Sequence, residues 1–196
     1  MLYVVRHGQT EWNVEARFQG QQDSPLSVLG QQQALNAAAF LASAGIEELY
    51  ASPLERAWKT AGAIAETIGR ERRPEDRLKE CGFGACEGMT LEEIEVAFPG
   101  KTAWRDADRW NRPYPDGESY ADVVQRVRSF AEENLRPALR PDGPVICTVA
   151  HGMLNRCLVG YLCGWSREET MTAHQDNDEI FMLSDESAAR VRVPGV

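Results

Sequence analysis

Apolar and polar positions along the chain sort into short β-type runs that alternate with helical stripes. Leu2-Tyr3-Val4-Val5 is continuously apolar and β-prone, as a buried parallel strand is, and it stops abruptly at Arg6-His7-Gly8. After a polar loop, Asp23-Ser24-Pro25-Leu26 leads to Ser27, an N-cap for a helix over about 28–44. Its apolar side reads as Leu35, Ala38, Ala39 and Ala42, and Gly45 ends it. Residues 47–51 form a short strand pattern. Ser52-Pro53-Leu54-Glu55 follows with a Ser cap, an early Pro and a Glu that closes a capping box, so the next helix is expected to start at Ser52. Its stripe is Ala57, Ala61, Ile64, Ala65 and Ile68, up to Gly69.

Residues 70–79 are charged and extended or looped, and Glu80-Cys81-Gly82-Phe83-Gly84 reads as a shaped loop. Two short helical segments follow, divided by Pro99-Gly100. Their charge is grouped around Trp104 and Trp110, and residues 90–118 are expected to form a lid or substrate subsite. Ser119 caps a long helix with Val123, Val124, Val127, Phe130, Ala131 and Leu135 on its apolar face. A second buried-strand run, Val145-Ile146-Cys147-Thr148-Val149-Ala150, again ends in His-Gly. Residues 153–162 are helical up to Gly164, and 180–183 and 191–193 add expected edge strands. Strands alternating with helices, without repeats, predict one α/β domain over residues 1–196 with a mostly parallel sheet.

Charge narrows the partners. Twenty-one basic against 30 acidic residues give a net charge of −9, which argues against nucleic acid or an anionic membrane as a partner. A few placed arginines can still build an anion pocket. No stretch has the length of a membrane span, and the N-terminus lacks a signal-peptide pattern, so a cytoplasmic location is expected. The five cysteines, Cys81, Cys86, Cys147, Cys157 and Cys163, show no paired spacing and read as reduced packing residues.

Two of the three histidines, His7 and His151, share one setting: each follows an apolar strand and precedes a glycine. In a parallel sheet both emerge at the carboxyl edge, where open α/β sheets bind ligands, with Arg6 beside one of them. Arg56 lies in the first turn of a helix that follows a strand, where free N–H groups and a guanidinium favour an anion.

Four blocks in order now resemble a known family. They are Arg6-His7-Gly8 with Asn13; Ser52-Pro53-Leu54-Glu55-Arg56-Ala57 with Thr60-Ala61; Glu80 before Phe83-Gly84 and Glu87-Gly88; and Ala150-His151-Gly152. Together they resemble the phosphoglycerate-mutase-like branch of the histidine phosphatase superfamily, and the loop at residues 80–88 looks most like its broad-specificity and α-ribazole phosphatases. The resemblance implies a three-layer α/β/α fold and a cofactor-free phosphomonoesterase acting on a small phosphorylated metabolite. It implies that His7 attacks the phosphoryl group, that Arg6, Arg56 and His151 hold its oxygens, and that Glu80 is the acid and base. Asn13, Gln19, Gly20 and Gly152 complete the implied phosphate site. The sequence departs at Cys86, where the branch often has tryptophan, and His174 fits no catalytic block and reads as surface.

Three other readings remain at this stage. The first is mutase-type phosphoryl transfer, which the short middle and early end of the chain disfavour. The second is a module that binds a phosphorylated ligand without turning it over. The third is a metal hydrolase using His7, His151 and Glu80, against which the neighbouring Arg6 would repel a cation.

Overall fold

The computed structural model describes residues 1–185 and 187–195. Six strands form one sheet: β1 (Leu2–Arg6), β2 (Glu48–Ala51), β3 (Arg72–Pro74), β4 (Ile146–Ala150), β5 (Glu179–Leu183) and β6 (Ala188–Arg192), in the order β3-β2-β4-β1-β5-β6. The β3-β2-β4-β1 part is parallel, and β5 and β6 are antiparallel. Residues 180–183, expected at an edge, instead pair with central β1; of the two expected edge strands β6 alone lies at an edge, because β5 carries a partner on both sides.

Helices cover both faces and make the three layers. They are α1 (Glu11–Val14), α2 (Val28–Leu41), α3 (Glu55–Ile68), α4 (Leu91–Ala97), α5 (Lys101–Asp106), α6 (Tyr120–Phe130), α7 (Gly152–Cys163) and α8 (Arg167–Thr172). The pleat of β1 divides the core. Leu2 and Val4 pack with Val123, Val127 and Phe130 of α6 and Leu154 and Leu158 of α7, whereas Tyr3 and Val5 pack with Leu41 of α2 and Ala57, Ala61 and Ile64 of α3. No described helix is long and apolar enough to cross a membrane.

Two helix readings change. The buried side of α2 is Gly30, Ala34, Ala37, Ala38 and Leu41, so of the expected face only Ala38 points inward. The reason is backbone proximity: a Cβ on Gly30 would lie 1.9 Å from the Gln9 carbonyl oxygen, and one on Gly8 would lie 2.1 Å from the Gly30 oxygen. This close approach turns the small residues inward and leaves Leu35 beside a surface groove with Pro25, Leu26 and Lys59. The second change is at α3, which begins at Glu55 with Leu54 at its N-cap and no side-chain cap of its own. The Ser52 hydroxyl accepts from the Leu54 N–H but is turned to His151, and the Asp23 carboxylate caps the helix instead. Elsewhere, Ser119 and Asp122 form the capping box of α6, and Gly164 closes α7 with a left-handed φ of 68°.

Candidate active site

Arg6 pairs with Ala150 at the last register position of β1 and β4, so both strands release their His-Gly pair at the same level. The His7 N–H donates to the Ala150 carbonyl at 3.0 Å, and the two imidazoles stand 5.2 Å apart between centroids. Beside them opens a cavity of about 290 Å³ lined by Arg6, His7, Asn13, Gln19, Gly20, Arg56 and Glu80 together with Trp12, Ala16, Arg17, Phe18 and Phe83.

His7 Nδ1 lies 2.7 Å from the Gly8 carbonyl oxygen. A carbonyl can only accept, so Nδ1 carries the proton and the neutral ring keeps its lone pair on Nε2. Burial first, then the charges of Arg56 and Arg6, hold His7 well below the usual imidazole range. The backbone around it is fixed too. Asn177 Nδ2 donates to the His7 carbonyl at 2.7 Å, and the Gly8 N–H donates to Thr60 Oγ1 at 3.1 Å. His151 is fully buried, its Nε2 2.8 Å from Ser52 Oγ, and burial followed by Arg56, His7 and Arg6 lowers its pKa well below the ordinary value.

The two arginines are held by the far ends of their guanidinium groups. Arg6 Nη1 donates to the Gln175 carbonyl at 2.6 Å; Gln175 is itself fixed by Asn155 and by the Val4 and Glu179 carbonyls. Arg56 Nη1 donates to the Gln22 carbonyl (2.6 Å) and to Asp23 (2.8 Å), and its Nη2 donates to the Gly20 carbonyl (2.7 Å). What stays without a partner is the near side. Arg6 Nε, Arg56 Nε, His151 Nδ1 and Gln19 Oε1 are buried and unpaired. Orphaned polar atoms of this kind carry a desolvation cost unless something occupies them.

Glu80 approaches from the opposite side. Its carboxylate accepts from the Cys81 N–H (2.9 Å) and, at the start of α7, from Met153 (3.3 Å) and Leu154 (3.0 Å). Asn13 uses its Oδ1 on the Thr10 N–H and hydroxyl, which aligns the short α1 along the cavity. Gly152 packs against the Arg6 guanidinium, where a Cβ would lie 3.3 Å from Cζ.

His151 and Gly152 stand behind the cavity wall rather than on it, and His174 is exposed against Asp176. Residues 90–118 supply none of the cavity's lining side chains. They meet the site through buried Tyr114, which packs edge-on to Phe18 and Phe83, while Trp110 stacks on Tyr120 in the core. Sequence reasoning missed Asp23, Asn155 and Gln175, whose bonds to Arg56, Val5 and Val4 span 33, 150 and 171 positions and leave no local pattern. Among the described residues no group of three His, Cys, Asp or Glu side chains is arranged to hold a metal ion.

The profile of the histidine phosphatase superfamily, branch 1, matches residues 2–191. The chain belongs to that superfamily. Glucosyl-3-phosphoglycerate phosphatase of Mycolicibacterium vanbaalenii is 40% identical over 169 residues, covering 83% of this chain and 74% of the relative. The human 6-phosphofructo-2-kinase/fructose-2,6-bisphosphatase 1 is 38% identical over 170 residues, 86% of this chain, which spans only 34% of that protein's length. The α-ribazole phosphatase of Shigella flexneri superposes with a TM-score of 0.84 over 100% of this chain and 96% of its own at 23% identity, a likeness of fold. The superfamily is one of phosphate-monoester hydrolases working through a phosphohistidine, and this chain is a phosphatase-type enzyme of that kind.

Proposed function

We propose that the chain is a metal-independent phosphomonoesterase for a small phosphorylated metabolite, with His7 as nucleophile. The observation that carries this reading is the pairing of a free Nε2 on a neutral, buried His7 with the unpartnered Nε atoms of Arg6 and Arg56. A phosphoryl group in the cavity would accept from both arginines, so the charge that develops on its oxygens meets donors already in place, and His151, its ring 5.2 Å from that of His7, supports the site from behind the cavity wall. Asn13 Nδ2 supports the same group. Gln19 supports it with its amide turned over, an exchange of O and N that leaves the side-chain shape unchanged. Gly20 contributes its carbonyl to Arg56, and Gly152 allows the close packing of Arg6.

In this reading Nε2 of His7 forms a bond to phosphorus as the ester P–O bond breaks, and Glu80 gives its proton to the departing oxygen. Glu80 then takes a proton from the water that cleaves the phosphohistidine, which restores both residues. The aromatic wall of Trp12, Phe18 and Phe83, backed by Tyr114 of the 90–118 segment, shapes the alcohol side. The single-domain organisation over 1–196 and a cytoplasmic location belong to this reading, and the five free cysteines suit a reducing compartment.

The test is hydrolysis of p-nitrophenyl phosphate in excess EDTA by the wild type and by His7→Ala. Metal-independent turnover that His7→Ala abolishes is the expected result. Turnover destroyed by EDTA sinks the metal-free mechanism, and turnover surviving His7→Ala sinks the nucleophile.

A further inference from the structure

One guanidinium outside the cavity is fully occupied in holding the Glu80 loop. Arg126 on α6 has five N–H donors, and each has an acceptor. Nη1 donates to the Arg77 and Lys79 carbonyls, both at 2.8 Å, and Nη2 donates to the Glu80 carbonyl at 3.2 Å. Nε and Nη2 form a fork on the two oxygens of Glu118, both at 2.9 Å. The same Glu118 carboxylate accepts the Gly82 N–H at 2.8 Å, and the Glu118 N–H donates to the Gly82 carbonyl at 2.7 Å. The backbone is therefore pinned just before and just after Glu80, leaving the carboxylate to reach the start of α7.

We propose that Arg126 and Glu118 are positioning residues that set the reach of the Glu80 acid to the leaving oxygen, and so give the enzyme its capacity for esters of poorly leaving, alkyl-type alcohols. The inference rests on Glu80 being the acid in the proposed mechanism. The chemistry follows from leaving-group demand. A p-nitrophenolate departs with little help, whereas an alkoxide must receive a proton as the P–O bond breaks, so an acid displaced by a fraction of an ångström matters mainly for the second. A lysine cannot replace Arg126, because an ammonium has three donors and no planar fork for Glu118 and three carbonyls together.

The experiment compares wild type, Arg126→Lys, Arg126→Met, Glu118→Gln and Glu80→Gln on p-nitrophenyl phosphate and on a series of alkyl phosphates. Arg126→Lys and Glu118→Gln guard against a methionine variant that fails to fold, and binding of inorganic phosphate reports whether the Arg6–Arg56 site is intact. The expected result is an Arg126 variant with unchanged phosphate affinity. Its kcat/KM, which reports the steps through loss of the alcohol and not the later water step that Glu80 also serves, falls less than about 3-fold on p-nitrophenyl phosphate and about 100-fold on alkyl phosphates, the low end of what a positioned acid contributes. Adding Arg126→Met to Glu80→Gln should lower alkyl turnover no further. Equal losses of kcat/KM on all substrates, or a full additional loss in the Glu80→Gln background, overturn the positioning role. Glu80→Gln with no leaving-group dependence of its own removes the acid and this inference with it, while His7→Ala reports separately on the nucleophile.

Discussion

His7 stays neutral because burial acts on it first and the charges of Arg56 and Arg6 second, and the Gly8 carbonyl then decides which nitrogen keeps the lone pair. The acid limb of kcat/KM should accordingly lie below the ordinary imidazole range near pH 6.5. A pH–rate profile on p-nitrophenyl phosphate checks this, and an acid limb at or above the ordinary value would contradict the assignment. The same shift acts on stability. His7 and His151 both have folded pKa values below their unfolded ones, so between those values the unfolded chain binds more protons. Their contribution is complete above about pH 6.5 and is withdrawn as the pH falls through that window, at about 1.4 kcal/mol per pH unit for each histidine. Urea denaturation at pH 7.5 and 5.5, above the range where most carboxylates titrate, should show a loss of about 2–3 kcal/mol. His7→Asn should roughly halve the slope; a wild type whose stability is flat across this window would refute the buried neutral pair.

Helix α3 shows why the site could be found in the sequence while its construction could not. Its start looked self-capped through Ser52 and Glu55, yet the cap comes from Asp23, which accepts from the Glu55 N–H at 2.7 Å and from Arg56 Nη1 at 2.8 Å. One carboxylate thus ends the helix and fixes the arginine, so Asp23→Ala should lower stability by about 1–2 kcal/mol, as lost caps do. It should also weaken inorganic phosphate binding about 10-fold, measured by calorimetry; unchanged affinity would mean that Arg56 needs no help. The Gly8–Gly30 approach supports the turn after β1 in a similar way, and Gly30→Ala should cost about 2–3 kcal/mol in a thermal or urea melt, because its Cβ would meet the Gln9 carbonyl at 1.9 Å. Periodicity made the strands, the Ser27 and Ser119 caps and the apolar face of α6 legible, since those depend on neighbours within a turn. The two strand-His-Gly junctions were legible because identical local patterns implied one sheet edge. The inward side of α2, the cap of α3 and the Arg126–Glu118 grip were not, because each is decided by a group far away in sequence: Gln9 against Gly30, Asp23 against Arg56, Arg77 against Arg126.

At the scale of the whole molecule, a chain of net charge −9 presents an anionic substrate with two opposed fields. Around the cavity, Arg6 and Arg56 attract; Arg56 is only 1% exposed and Arg6 is half-buried. Further out, the excess of acidic side chains repels. Salt screens these unequally, because the Debye length is about 10 Å at 0.1 M and acts through water, so the outer repulsion weakens first while the buried attraction persists. Added salt should therefore raise kcat/KM for a dianionic phosphate ester, by about 2-fold between 10 and 150 mM sodium chloride, through faster encounter rather than faster chemistry. Measuring kcat and KM separately resolves this: kcat should stay level while KM falls. A fall in kcat/KM with salt would instead mean that the arginines reach beyond the cavity mouth and steer the substrate in, against the overall charge of the protein.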